Sequence, residues 1–277
     1  MKQCVIGNLS IDATNMGFQK MDWNISPRLR RRIRYLAFHA LLMVLLSAIV
    51  APSAVSADTG RGYLDLGGGY KTGDFGTPTT SSLYYLSSTI GYVAPRYDVG
   101  VTVPYLFLTN KNAGQSQTDS GAGDIILRGG AVFIPEGPGG FSLNGTLAVK
   151  LPSADETKSL GTGETDYGAF LGLHQRIEDF KLSLTGGYIK IGDPAAINYN
   201  DVHLYGVGVS RAFGRTDIAA SLDGRRSTVP GVQNPQEVSV GFFHVLNADH
   251  AIKGSAFKGL NNGGPDFGVD FGIVRWF

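Results

Sequence analysis

Cysteine is nearly absent: Cys4 is the only one in 277 residues. That excludes a disulfide framework and a cysteine-based zinc site. Charge is also scarce. Asp, Glu, Lys and Arg make up 17% of the chain, against ~25% in an average soluble domain. The formal net charge of +1 leaves no electrostatic footprint for nucleic acid. After residue 57 no apolar run is long enough for a membrane helix, and no stretch keeps a 3.6-residue period. Glycine is abundant: 39 residues, about twice the usual share. These glycines keep no three-residue period, which excludes collagen, and 43% apolar content argues against disorder.

The first 57 residues read as an export address. Arg28, Arg30, Arg31, Arg32 and Arg34 precede an apolar run from Leu36 to Val50, and Ala51 to Ala57 end in a small-x-small pattern. A basic patch, a short apolar core and a small-residue cleavage site describe a secretory signal peptide. Fifteen helical residues rise only ~22 Å, short of the ~30 Å hydrocarbon core, so a membrane anchor fits less well. The expected organisation is an N-terminal extension and signal peptide over 1–57 and one domain over 58–277. Residues 1–57 hold seven of the 24 basic residues and two of the 23 acids, so the exported part carries a net −4.

Within 58–277 the apolar residues alternate with small or polar ones, the period of a strand. Phe267, Val269, Phe271 and Ile273 share one face, with Gly268, Asp270 and Gly272 on the other. Leu143, Leu147, Val149 and Leu151 likewise oppose Asn144, Thr146, Ala148 and Lys150. The pattern predicts twelve strands near 61–72, 81–94, 97–109, 123–135, 141–152, 165–177, 180–191, 202–213, 216–227, 237–247, 250–260 and 265–277. Short turns alternate with longer polar loops at 73–80, 110–122, 153–164, 192–201 and 228–236, the layout of an outer-membrane barrel. Aromatics cap the apolar face at both ends: Tyr92, Phe133, Phe141, Phe180 and Phe213 at one, Tyr70, Tyr84, Tyr105, Tyr167, Tyr188 and Tyr205 at the other. Phe180 and Tyr188 are separated by roughly 20 Å of tilted strand, close to the ~25 Å apolar band of such barrels. The fold expected is all-β: a closed antiparallel transmembrane β-barrel of about 12 strands in the bacterial outer membrane, preceded by a signal peptide.

The opposite face carries charges of both signs: Asp65, Asp98, Asp124, Arg128, Lys150, His174, Arg176, Asp223, Arg225, Glu237 and Asp270. They are candidates for lining a lumen, either pairing across strands to hold it closed or setting a solute path. The rest of that face is mainly glycine, which leaves space or permits curvature, and Pro104 suggests a bulge in the third strand. Asp155, Glu156, Glu164 and Asp166 match no calcium cage and read as a solvated acidic loop. No catalytic residue, metal or cofactor is expected. A lipid hydrolase would need a serine beside His203, with Ser82 or Ser239 the hydroxyls available, and no motif joins them.

Three short motifs remain. Gly121-Ala122-Gly123-Asp124 opens the fourth strand, Lys150-Leu151-Pro152-Ser153 closes the fifth, and Gly161-Thr162-Gly163-Glu164-Thr165-Asp166 follows. The series resembles the outer-membrane family named for the meta pathway of phenol degradation, with Ser153-Ala154 standing where that family has Thr-Gly. The resemblance implies a transporter-like barrel for passive uptake of small aromatic or apolar solutes, with Gly121, Gly123, Asp124, Lys150, Leu151, Pro152, Gly161, Gly163 and Asp166 as the family positions. The alternatives are a structural or adhesive barrel with a closed lumen and the lipid hydrolase. The ending Arg275-Trp276-Phe277 resembles the signal read by the barrel assembly machinery. Expected partners are therefore that machinery, outer-membrane lipid and a small solute, with no nucleic acid.

Overall fold

A computed structural model describes residues 60–194 and 198–277. The signal peptide expected within 1–57 lies outside the described residues. Thirteen strands follow in order: β1 (Arg61–Gly73), β2 (Thr80–Val93), β3 (Tyr97–Asn112), β4 (Gln115–Ala122), β5 (Ile125–Ile134), β6 (Phe141–Leu151), β7 (Asp166–Ile177), β8 (Phe180–Lys190), β9 (Val202–Phe213), β10 (Thr216–Arg225), β11 (Gln236–Val245), β12 (His250–Gly259) and β13 (Phe267–Trp276). Among the described residues the only helical segment is a 3₁₀ turn, Glu156–Lys158. Apart from β4 and β5, strands adjacent in sequence pair antiparallel, and β1 closes the ring on β13 from Tyr63↔Trp276 to Thr72↔Phe267. β3 pairs with β4 along its outer half and with β5 along its inner half, so β4 and β5 form one interrupted stave. The wall is a closed barrel of twelve staves.

The interruption has a chemical cause. The Pro104 carbonyl accepts the Gly123 N–H at 2.9 Å. A strand residue turns its N–H and C=O to the same neighbour, and proline has no N–H to return. The fourth stave breaks there, at Gly123 and Asp124, while β3 itself stays in register with β2. The bulge expected in the third strand is thus a gap in its partner. The register shift that does occur lies between Val132 and Ile134, against β6.

Residues 110–122, expected as a loop, are instead the end of β3 and all of β4. Ala113 and Gly114 both have positive φ, 48° and 81°, the requirement of a two-residue type I′ hairpin turn. Thr109 and Thr118 share a 2.9 Å hydroxyl contact across it.

Face assignment follows from exposure. Leu147 is 67% exposed, Leu86 60%, Phe271 58%, and the ring-bearing ends Tyr84, Tyr167, Tyr205, Phe133, Phe180 and Phe213 are all exposed. In a closed barrel this apolar belt faces outward, where only lipid can cover it. The inward face is not uniformly small, as the glycines suggested. Tyr63, Tyr85, Phe170, Phe243, Phe257 and Trp276 have inward parity, and a glycine often provides the bed. A Cβ at Gly168 would stand 2.7 Å from the Phe170 ring, and Gly187 lies as close on the other side. Much of the glycine is therefore occupied by cross-strand rings rather than open.

Leu147→Arg places a charge mid-strand in the belt, at a cost of ~2–4 kcal/mol near the midplane. The expected result is a reduced fraction of heat-modifiable folded barrel on gels, with Leu147→Phe unchanged.

Candidate functional site

The three motifs converge. Asp124 stands at the break between β4 and β5, Lys150 near the end of β6, and Asp166 at the start of β7. Lys150 Nζ lies 3.3 Å from Asp124 Oδ2 and 3.0 Å from Asp166 Oδ2, and it donates to Thr162 Oγ1 at 3.1 Å. All three charged residues are buried, at 6%, 5% and 3% exposure for Asp124, Lys150 and Asp166. Their remaining oxygens accept backbone N–H groups: Asp124 from Ala154, Asp166 from Gly192, both at 2.9 Å. Ser153 repairs the broken stave, since its hydroxyl accepts the Ile125 N–H at 2.9 Å and donates to the Gly123 carbonyl at 3.2 Å.

The ion cluster draws the outer loop, residues 152–165, into the barrel. Ala154 and Leu160 join the inward Leu83, Leu106 and Leu108 in a buried apolar cluster, with Tyr85 packed against it. Gly161 has no room for a side chain: a Cβ would stand 2.7 Å from Ala154 Cβ and 2.8 Å from Asp124 Oδ2. The acids expected to be solvated in this loop have separate duties. Asp155 caps the 3₁₀ turn by accepting the Thr157 N–H, and Asp166 points at Lys150.

The other candidates spread along the wall. Asp98 and Arg128 pair at 2.6 Å between β3 and β5. His174 bridges Ser183 at 2.9 Å and Asn144 at 3.1 Å. Arg176 leaves the lumen for the turn after β5, where Glu136 lies 2.6 Å away. The Arg176 hydrogen bond holds the Glu136 carboxyl below its ordinary range, so the contact is present at neutral pH and is lost as pH falls through that lowered value. Asp223 accepts from Ser221, which also meets Ser239 at 2.8 Å. Asp270 accepts from Tyr85 and, at 3.1 Å, from Ser255. Arg225 and Glu237 have inward parity near the outer ends of β10 and β11.

Sequence reading missed Lys253, which pairs with Asp65 across the Gly272 of the intervening strand. Its alternation with Ala251 and Ser255 was the available signal. At the outer rim, Asp201 takes the Tyr188 hydroxyl at 2.6 Å and the Lys190 ammonium at 3.2 Å. The Tyr188 bond holds that carboxyl low. His203 meets the Tyr188 ring at 5.0 Å, Ser82 contacts Thr72, and Ser239 contacts Ser221, so neither of these two serines joins His203.

A closed twelve-stave wall with an apolar belt, two aromatic girdles and a polar, ion-paired interior defines an outer-membrane β-barrel. Residues 62–274 match the family described as "Putative MetA-pathway of phenol degradation", and the chain belongs to that family. Among solved structures it is similar to the COG4313 outer membrane channel from Pseudomonas putida F1, with a TM-score of 0.67 at 14% identity over 82% of this chain and 100% of that one. The beta domain of the Bordetella autotransporter BrkA follows at a TM-score of 0.50 and 15% identity, covering 79% of this chain and 100% of that one. These likenesses concern the fold. No curated protein matches the chain.

Lys150→Met leaves two buried carboxylates without their cation, a change that costs about 3–5 kcal/mol in comparable sites. Lys158 is already exposed but held by its bond to the Ser120 carbonyl and by the fixed loop; release of the loop should let the backbone there fit a protease, so trypsin cleavage after Lys158 should accelerate in folded barrels. The triple change Asp124→Asn, Lys150→Met, Asp166→Asn should restore part of the resistance.

Proposed function

We propose that this protein is an outer-membrane channel for passive uptake of small solutes. The observation that carries the reading is the inward face of the wall: Ser183, Ser221, Ser239, Ser255 and Thr185 with paired charges, a surface that holds water, inside a barrel too narrow for bulk flux. Similarity in fold to an outer membrane channel supports it. The half-buried inward rings Phe243, Phe257 and Trp276 favour planar aromatic solutes, and the hydroxyls beside them favour phenol-like molecules over plain hydrocarbons. The barrel assembly machinery would read the C-terminal strand, whose Phe277 N–H reaches the Gly62 carbonyl at 3.0 Å. A signal peptide over 1–57 would bring the chain to that machinery.

One observation favours a second reading. The loop held by Lys150 fills part of the outer lumen with an apolar cluster, as a structural barrel with a closed interior would require. A hydrolase at the outer rim draws no support from His203, whose neighbour is a tyrosine ring.

Proteoliposomes separate the two readings. A channel should admit phenol-sized solutes faster than disaccharides. Exclusion of every small solute, by the wild type and by Lys150→Met alike, would favour the closed barrel.

A further inference from the structure

The inward charges are not equally neutralised. Asp65 is paired with Lys253 and Asp98 with Arg128, while Asp124 and Asp166 share Lys150 and are sealed from the lumen. Asp217 lies in the field of Arg176 at the periplasmic end. Asp223 and Asp270 differ. Among the described residues neither forms an ion pair, and both are held only by hydroxyls: Asp223 by Ser221, Asp270 by Tyr85 and Ser255. Lys253, the inward cation on the strand beside Asp270, is taken by Asp65.

Position adds to the argument. The cross-strand register puts Asp270 beside Ser255 and Gly241, the next row toward the outer end holds Phe257, Ser239 and Ser221, and one row further Asp223 stands opposite a second acid, Glu237. This sector, serine hydroxyls and glycines with the Phe257 ring among them, lies on β10 to β13, away from the loop cluster on β2 and β3. The Tyr85 ring packs against that cluster while its hydroxyl reaches Asp270, so the carboxylate stands at the edge of the space the loop leaves. A paired charge presents a dipole to a passing ion. An ionised carboxylate without a cation, on a narrow wet passage with low-dielectric walls, acts as a net negative charge, and such passages concentrate counter-ions.

We propose that Asp223 and Asp270 form a selectivity site that favours small cations, and solutes bearing ammonium or hydroxyl donors, over carboxylate-bearing anions. The inference rests on the channel reading and names the solute chemistry of that passage.

The test is reversal potential in planar bilayers under a KCl gradient, using the purified barrel. The wild type should prefer K⁺ to Cl⁻. Asp223→Asn with Asp270→Asn should lower that preference by about threefold or more, with heat-modifiable migration and single-channel events retained. Each single variant guards against a folding defect in the pair, and Asp223→Glu should keep the preference. A wild type that prefers Cl⁻, or folded neutral variants with unchanged preference, would overturn the selectivity site and leave the channel. A wild type with no conductance would overturn the channel reading itself.

Discussion

Closure of the hydrogen-bond ladder is the constraint on which everything else here depends. Lipid offers no partner to a backbone N–H or C=O, so every strand in the membrane must find its bonds in a neighbour. The β1–β13 seam completes that circuit. Once the wall is closed, the two-residue period of a strand divides the chain into an outer face for lipid and an inner face for water. Where the fourth stave breaks, opposite Pro104, the Ser153 side chain repairs the ladder. The repair and the Lys150 cluster lie within a few residues of each other, so the family motifs read as the means by which a broken stave and an inward loop are made compatible.

Sequence alone carries far on the wall. The strands from β5 to β13 and the aromatic girdles were legible because lipid on one side and water on the other impose an alternation that a reader can count. β4 was not, because Gln115 to Thr118 are exposed and polar on both faces, and above the membrane no alternation is enforced. The hairpin signal was confined to two residues with positive φ, and Ala113 is an uncommon choice for one of them.

The candidate site was half legible. Asp124, Lys150 and Asp166 stood out individually, yet their meeting depends on three separate staves and on register, which no local pattern encodes. Inward rings were hidden by their own glycines: Gly168 and Gly187 look like space until Phe170 is placed over them. The difference between a neutralised acid such as Asp98 and an unneutralised one such as Asp223 is likewise invisible in a string of letters, since it lies in what the neighbouring strand supplies.

The β3–β4 hairpin shows what the cell presents outward. Sixteen residues of β3, at the usual rise and tilt, extend roughly 40 Å along the membrane normal, while the apolar belt needs only ~25 Å. The excess carries Gln115, Ser116, Gln117 and Thr118 into the medium. In the loop bearing the family motifs Ala154, Leu160 and Thr162 are buried, and its turn, Glu156 to Lys158, is exposed. A large molecule arriving from outside therefore meets the polar hairpin tip, while the ion-paired motif residues stay out of its reach.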